Sequence, residues 1–316
     1  MTGSLRALLA GSIDYAGMFP PASLALPQAL ELFRRYRDNP HSWMLGRLVV
    51  PAGQLAQLAA AYEPERDGKL TVVVPAAPDR DGFVKHLDDV LEQLEKFPDR
   101  DAVDMLEFRW PVDLAGCDER DLPKQVHRSI DPPMSFFFEL PASGTPSPDT
   151  QRDPAQLDEG RTRQIWRAVL ALGYANSRFK LRCGGTRAGD IPSSAEVALV
   201  ICACRESWVN WKATAGLHHP FRHIDATSGV ATHGFLNVLC AAVLSQVHQL
   251  DERQTQAILE ETDPSRFKFS DESLSWREYA VDAGRIAEPG VRRLLSFGSC
   301  SFEEPCQDLR NLGFLP

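Results

Sequence analysis

The sequence predicts an α/β protein folded as a (β/α)8 barrel, with a short N-terminal helix and a helical insertion between the seventh and eighth strands. Three observations predict it. Short β-like runs alternate with amphipathic stretches of helical period, the pattern of parallel α/β folds. Eight such runs occur along the chain. The competing doubly wound sheet calls for a GxGxxG or P-loop turn, and neither is present.

The first run, 11–14, leads into Tyr15-Ala16-Gly17-Met18-Phe19-Pro20-Pro21-Ala22, a rigid loop of aromatics, glycine and prolines placed to wall a pocket or to pack on its own neighbours. An amphipathic stretch over 26–36 precedes the second strand, 46–50, and another over 54–62 precedes the third, 70–74. Residues 82–97 form the next helix, ahead of the fourth strand at 103–109. The fifth strand, 134–140, is followed by 142–158, a long loop rich in Pro, Ser, Thr and Asp and a candidate lid. A helix over 159–172 leads to the sixth strand, 178–182. Ser193 or Ser194 then caps a helix over 194–206, and the seventh strand is 208–213. The insertion contains a His-rich loop and helices at about 235–249, 253–261 and 273–287, expected to cap the C-terminal face of the barrel. The eighth strand, 294–297, ends in Gly298-Ser299-Cys300-Ser301 before a last helix opened by Glu303-Glu304. The expected organisation is one barrel domain over 1–316.

Composition narrows the partners. Hydrophobic residues make up 43% and charged residues 24%, the balance of an ordinary globular protein. A net charge of −9 and a pI near 5.4 argue against nucleic acid or an anionic membrane and leave a small anionic molecule as the expected partner, with homo-oligomerisation open. No cleavable leader and no apolar run near the ~20 residues of a membrane span is evident, so the expected location is the cytoplasm. Seven cysteines without a CxxC pair give no structural zinc or dithiol motif.

Strand alternation sends one parity toward the helices and the other into the barrel. The apolar parity must face outward, which leaves Asp14, Glu107, Arg109, Glu139, Lys180, Arg182, Lys212 and Thr214 inside, near the C-terminal rim. Three carboxylates facing four cations are costly to bury and match a polar pocket, the bland alternative being a salt-bridge network that only closes the barrel. A lysine desolvated or set beside a second cation loses its proton more readily and then attacks carbonyls.

A lysine in Phe179-Lys180-Leu181-Arg182-Cys183-Gly184-Gly185 on the sixth strand, another in Trp211-Lys212-Ala213-Thr214 on the seventh and an Asp on the first resemble the deoxyribose-phosphate aldolase-like branch of class I aldolases. The resemblance covers these positions and the neighbouring glycines. It implies a Schiff-base nucleophile at Lys180, a tuning cation at Lys212 and an acid/base group at Asp14. Where that family has a Thr/Ser-rich tract after the nucleophile, this chain has Leu-Arg-Cys-Gly-Gly. The expected function is therefore lyase or aldolase-type chemistry on a small anionic carbonyl compound, a sugar phosphate or an oxo acid. Glu107, Glu139 and His218 are further proton carriers, and both lysines could instead bind the anion as ammoniums.

Gly184 and Gly185, like Ser299 in the last strand's loop, stand where barrels hold phosphate on backbone N–H groups and helix N-termini. His218-His219-Pro220-Phe221-Arg222-His223, followed by His233, gathers histidines just past the seventh strand. These imidazoles, with Arg222, are expected either to touch substrate or move protons. No cofactor is expected on the lyase reading. The alternative is a divalent metal such as Zn²⁺ on His218, His219, His223, His233 and Glu139, serving an isomerase or hydrolase. A third reading is a non-catalytic barrel that binds an anionic metabolite. Cys183 and Cys300 fall at strand ends, where neighbouring cations favour thiolate and burial opposes it.

Overall fold

The computed structural model describes residues 1–111, 113, 118–130, 134–141, 157–185, 191–224 and 229–316. Helix α1 (Gly3–Leu9) precedes β1 (Ile13–Tyr15), and α2 (Leu26–Arg37) leads to β2 (Leu45–Pro51). Helices α3 (Leu55–Ala59) and α4 (Pro64–Asp67) come before β3 (Leu70–Val73), and α5 (Arg80–Glu95) before β4 (Val103–Arg109). Next come α6 (Asp121–Ser129), β5 (Ser135–Glu139), α7 (Glu159–Tyr174), β6 (Arg178–Arg182), α8 (Ser194–Glu206) and β7 (Trp211–Thr214). The insertion holds the paired β8 (His223–Ile224) and β9 (Ala231–Thr232), α9 (Phe235–His248), α10 (Glu252–Leu259), β10 (Phe267–Phe269), β11 (Ser273–Trp276), β12 (Tyr279–Asp282) and α11 (Ala283–Ile286). Strand β13 (Leu294–Ser299) closes the barrel between β7 and β1, and α12 (Glu303–Asn311) follows it. All eight barrel strands are parallel, in the order β1-β13-β7-β6-β5-β4-β3-β2.

Helix α5 illustrates how the sequence builds the outer layer. Asp79 caps it by accepting from Gly82 N–H, and Phe83, Leu87, Val90 and Leu94 recur on its buried face. Phe83 meets Phe108 of β4 with centroids 5.4 Å apart, and Phe108 stacks on Phe138 of β5 at 5.2 Å. The outward parity expected of Leu106, Phe108, Phe136 and Phe138 is thus realised as the layer between sheet and helices, where all four are buried.

Several elements differ from expectation. The seventh strand starts at Trp211, because Trp208 follows the end of α8 with φ +58° and lies exposed. The first starts at Ile13, since Gly11 at φ +59° turns the chain out of α1. The helix expected over 54–62 is confined to α3, after which Pro64 opens α4. Helices α9 and α10 stand where the insertion was expected to be helical, but 273–287 is β11, β12 and the single turn α11. There Leu274 and Trp276 are buried between half-buried serines, a period of two, and Arg277 at φ +49° makes the hairpin turn.

Part of the insertion also sits elsewhere than expected. Its β10-β11-β12 sheet packs on α1, where Ser4 N–H donates to Ser270 O at 3.0 Å and Gly3 N–H to Asp271 Oδ1 at 2.9 Å. That is the N-terminal end of the barrel, opposite the rim. The chain has to return there to enter β13 in parallel, and α9 carries it down the outside, stacking Phe235 on Phe297 of β13 at 5.1 Å.

Candidate functional site

The sheet register aligns the charges before any side chain is considered. Glu139 of β5 pairs with Lys180 of β6, Lys180 with Lys212 of β7, and Arg109 of β4 with Glu139. Asp14 of β1 and Glu107 of β4 reach into this row from across the barrel. An alternating chain of ions results. Lys212 Nζ lies 2.7 Å from Asp14 Oδ2 and 2.6 Å from Glu107 Oε1, and Lys180 Nζ lies 2.8 Å from Glu107 Oε2 and 3.0 Å from Glu139 Oε2. Arg109 Nε donates to Glu139 Oε1 at 2.9 Å. The Lys212–Glu107 contact is a close ion pair without hydrogen-bond alignment at Oε1. Beneath the ions, Lys212 Nζ sits over the Phe137 ring, 5.6 Å from its centroid.

Asp14 is fully enclosed and is held by more than Lys212. It accepts from Arg47 N–H at 2.9 Å and from Ser296 Oγ at 2.7 Å. Gly46 is required beside it, because a Cβ there would come 2.4 Å from Asp14 Oδ1. The network opens toward the rim: Lys212 is 1% exposed, Lys180 8%, and the Arg109 side chain 38%.

Charge state follows from these contacts. Burial works against the Lys180 ammonium, but Glu107 and Glu139 outweigh it and hold its pKa above the ordinary lysine value. For Lys212 burial is likewise opposed by Asp14 and Glu107, with the same outcome. Burial pushes the Glu107 carboxyl up, and the two ammoniums more than offset it, leaving the pKa at about 2. Glu139 is lowered in the same way by Lys180 and Arg109. The sequence suggested that one lysine would depress the other. In the fold Glu107 stands between them, and both rest as ammoniums.

These groups floor a cavity of about 610 Å³ at the C-terminal rim. Glu107, Arg109, Glu139, Lys180, Arg182, Lys212 and Thr214 line one side, with His218 and Cys300 at the mouth. Ala16, Phe19 and Pro20 of the first loop line the other side, with Val49, Pro51, Val73, Val74, Pro75 and Ala76. Arg182 has no carboxylate partner among the described residues. Of the candidate lid over 142–158, residues 142–156 lie outside the described residues.

The histidines do not converge. His218 Nδ1 is 3.0 Å from Glu304 Oε2, which fixes the ring at the mouth. His219 Nδ1 is 2.6 Å from Asp308 Oδ2, and its ring meets His223 edge-on at 4.5 Å. His223 contacts Thr232, and His233 is buried with Nε2 donating to Pro192 O at 2.8 Å. Glu139 is already held by Lys180 and Arg109. Among the described residues no three His, Cys, Asp or Glu side chains are grouped to hold a metal ion. The cluster is a run in the chain whose side chains diverge toward α12, β9 and the loop before α8.

Other expected positions serve structure. Gly184 lets two strand ends touch, since a Cβ there would meet Gly216 Cα at 2.6 Å. Ser299 Oγ donates to Ser301 O at 2.6 Å, and Gly185 lies exposed. Arg222 is fixed through its N–H to Asn237 Oδ1 at 2.9 Å and lies off the cavity wall. The buried Cys183 thiol is pushed up to about 12 by burial, and burial also raises Cys300. Ser296, Gly46 and Glu304 were missed as site residues. Ser296 carried a signal, a polar residue between Leu295 and Phe297 in a short strand. Gly46 and Glu304 acquire meaning only through contacts distant in sequence.

No protein-family model and no curated protein matches the chain.

Proposed function

We propose that this barrel is a lyase of the aldolase type, acting on a small anionic carbonyl compound through an iminium at Lys180. The observation that carries the reading is the placement of Lys180 at the cavity floor, with two carboxylates at 2.8 and 3.0 Å and a second lysine behind one of them. Lys212 is enclosed and tied to Asp14 and Glu107, so it holds Glu107 in place and does not attack. The resemblance to class I aldolases in the placement of the two lysines supports the same assignment.

An ammonium and a carbonyl combine to an iminium and water, two of the three ammonium protons leaving with the carbonyl oxygen. The positive charge stays on Nζ, so Glu107 and Glu139 stabilise the iminium as they stabilise the ammonium. What their pairing slows is access to the neutral amine, which forms when Nζ gives up a proton to water. A base then removes the proton of a hydroxyl on the carbon β to the iminium. The Cα–Cβ electron pair moves toward nitrogen as an enamine and the hydroxyl carbon departs as a carbonyl. Protonation at Cα and hydrolysis return product and Lys180. His218, fixed by Glu304 at the mouth, and Glu139 are the groups within the cavity for the two proton transfers.

The iminium acidifies the α-proton of its carbonyl partner even when no bond is cleaved. In D₂O the protein is expected to exchange the α-protons of a carbonyl substrate, read by loss of the proton NMR signal, while Lys180→Met does not. Failure of every carbonyl compound tried to exchange faster with wild type than with Lys180→Met would overturn the reading.

A further inference from the structure

Resting on that reading, we infer that the substrate is a 2-oxo acid with an apolar body and not a sugar phosphate. Charge favours a monoanion. Among the described residues of this ion row, Asp14, Glu107 and Glu139 offset three of the four cations Arg109, Lys180, Arg182 and Lys212, which leaves one positive charge. A single carboxylate balances it, whereas a phosphate dianion would bring an unmatched negative charge against Glu107 and Glu139.

Position favours a carboxylate. Arg182 is the cation on the cavity wall without a carboxylate among the described residues, and its planar fork suits a carboxylate. It lies two residues from Lys180 on the inward face of β6, an offset of about 6.5 Å along the strand. Both line the cavity, so an anion held by Arg182 lies on the side of the cavity from which Lys180 attacks, as the carboxylate of a 2-oxo acid would. In a sugar phosphate, phosphate and carbonyl are separated by further carbons.

The places where a barrel would hold phosphate are already occupied. The close approach of Gly184 to Gly216 takes the space at the end of β6. The first turn of α12 carries Glu303 and Glu304, and Ser301 Oγ already accepts Glu304 N–H at 3.1 Å. Two carboxylates at that helix start oppose a phosphate. The wall facing the ions is apolar, built from Phe19, Pro20, Val49, Val73, Val74 and Pro75, and gives sugar hydroxyls no side-chain partner.

Isothermal titration of the intact protein with 4-methyl-2-oxopentanoate, pyruvate, glyceraldehyde 3-phosphate and inorganic phosphate tests this without reference to catalysis. The branched oxo acid is expected to bind at least about tenfold more tightly than pyruvate or either phosphate, since each buried methylene adds affinity. Arg182→Gln, and separately Arg182→Lys, should weaken oxo acid binding about tenfold or more, the loss of a charge-assisted bidentate contact. Tighter binding of either phosphate compound, no binding by the branched oxo acid, or unchanged affinity in a folded Arg182→Gln protein overturns the inference. Binding in the expected order without α-proton exchange would leave the inference standing and remove the lyase reading. Exchange confined to the sugar phosphate would do the reverse.

Discussion

Lys212 Nζ lies 2.6 Å from Glu107 Oε1, buried inside the barrel at the floor of the cavity. The relationship explains why neither lysine is depressed by the other: the carboxylate between them neutralises the repulsion that their register pairing would otherwise impose. It also makes the floor of the cavity intolerant of single changes, because among the described residues each of these ions has its salt-bridge partners within the row.

Lys212→Met leaves Asp14 and Glu107 without their common ammonium, and loss of one member of a buried ion pair costs about 3–5 kcal/mol. Denaturant unfolding should register a loss of that size. Adding Glu107→Gln to Lys212→Met should cost less than the sum of the two single changes, since the second substitution removes a carboxylate already stranded. Strict additivity would show the two residues to be energetically independent and contradict the network.

Acid should weaken the fold in two stages. Burial drives His233 down to about 4, so its neutral form is favoured by the fold; that contribution is complete above the ordinary value of 6.5 and disappears as pH falls toward 4. Glu107, ordinarily at 4.5 and held at about 2, contributes above 4.5 and loses its contribution between 4.5 and 2. The raised lysines contribute below the ordinary 10.5 and lose that contribution only as pH rises beyond it. Urea midpoints across pH 3 to 8 should therefore begin to fall below about 6.5, and His233→Phe should flatten the upper stage. A wild-type midpoint unchanged down to about pH 5 would contradict the assignment to His233.

The contact between the ends of β6 and β7 offers a purely steric test. At Gly216, φ is +71° and a Cβ would stand 2.8 Å from Gly184 Cα, so Gly216→Ala combines left-handed strain with overlap of backbone. A loss of about 1–3 kcal/mol is expected from such crowding. Gly53→Ala, with nothing within 4 Å, serves as control. Equal melting temperatures for the two variants would show that the close approach has no energetic consequence.

The strands were legible because alternation is a local property: Glu107 between Leu106 and Phe108, and Lys180 between Phe179 and Leu181, declare which face is inward without knowledge of the partner strand. The closed order of eight follows from their repetition. Charge state was not legible, since it depends on Glu107 standing between Lys180 and Lys212, a fact of register and side-chain reach. The histidine run misled for the converse reason, proximity in sequence: His218 turns to Glu304, His219 to Asp308 and His233 to Pro192. The hairpin of β11 and β12 was readable in Ser273-Leu274-Ser275-Trp276, whose period is two.

Reactivity should carry the signature of a paired lysine. With its pKa above the ordinary 10.5, Lys180 is neutral in less than about one molecule in a thousand at pH 7. Iminium formation should accelerate about tenfold per pH unit from 7 to 9, as the amine fraction does. A rate that levels off below pH 8 would place a neutral lysine in the resting site and contradict the pairing with Glu107 and Glu139.

Borohydride reduction in the presence of a 2-oxo acid, followed by peptide mass mapping, locates the iminium, because reduction fixes it as a secondary amine on the residue that formed it. The account predicts one adduct per chain, on Lys180 within β6, and none in Lys180→Met although Lys212 remains. An adduct on Lys212, or turnover of a carbonyl substrate with no adduct on either lysine, would contradict it.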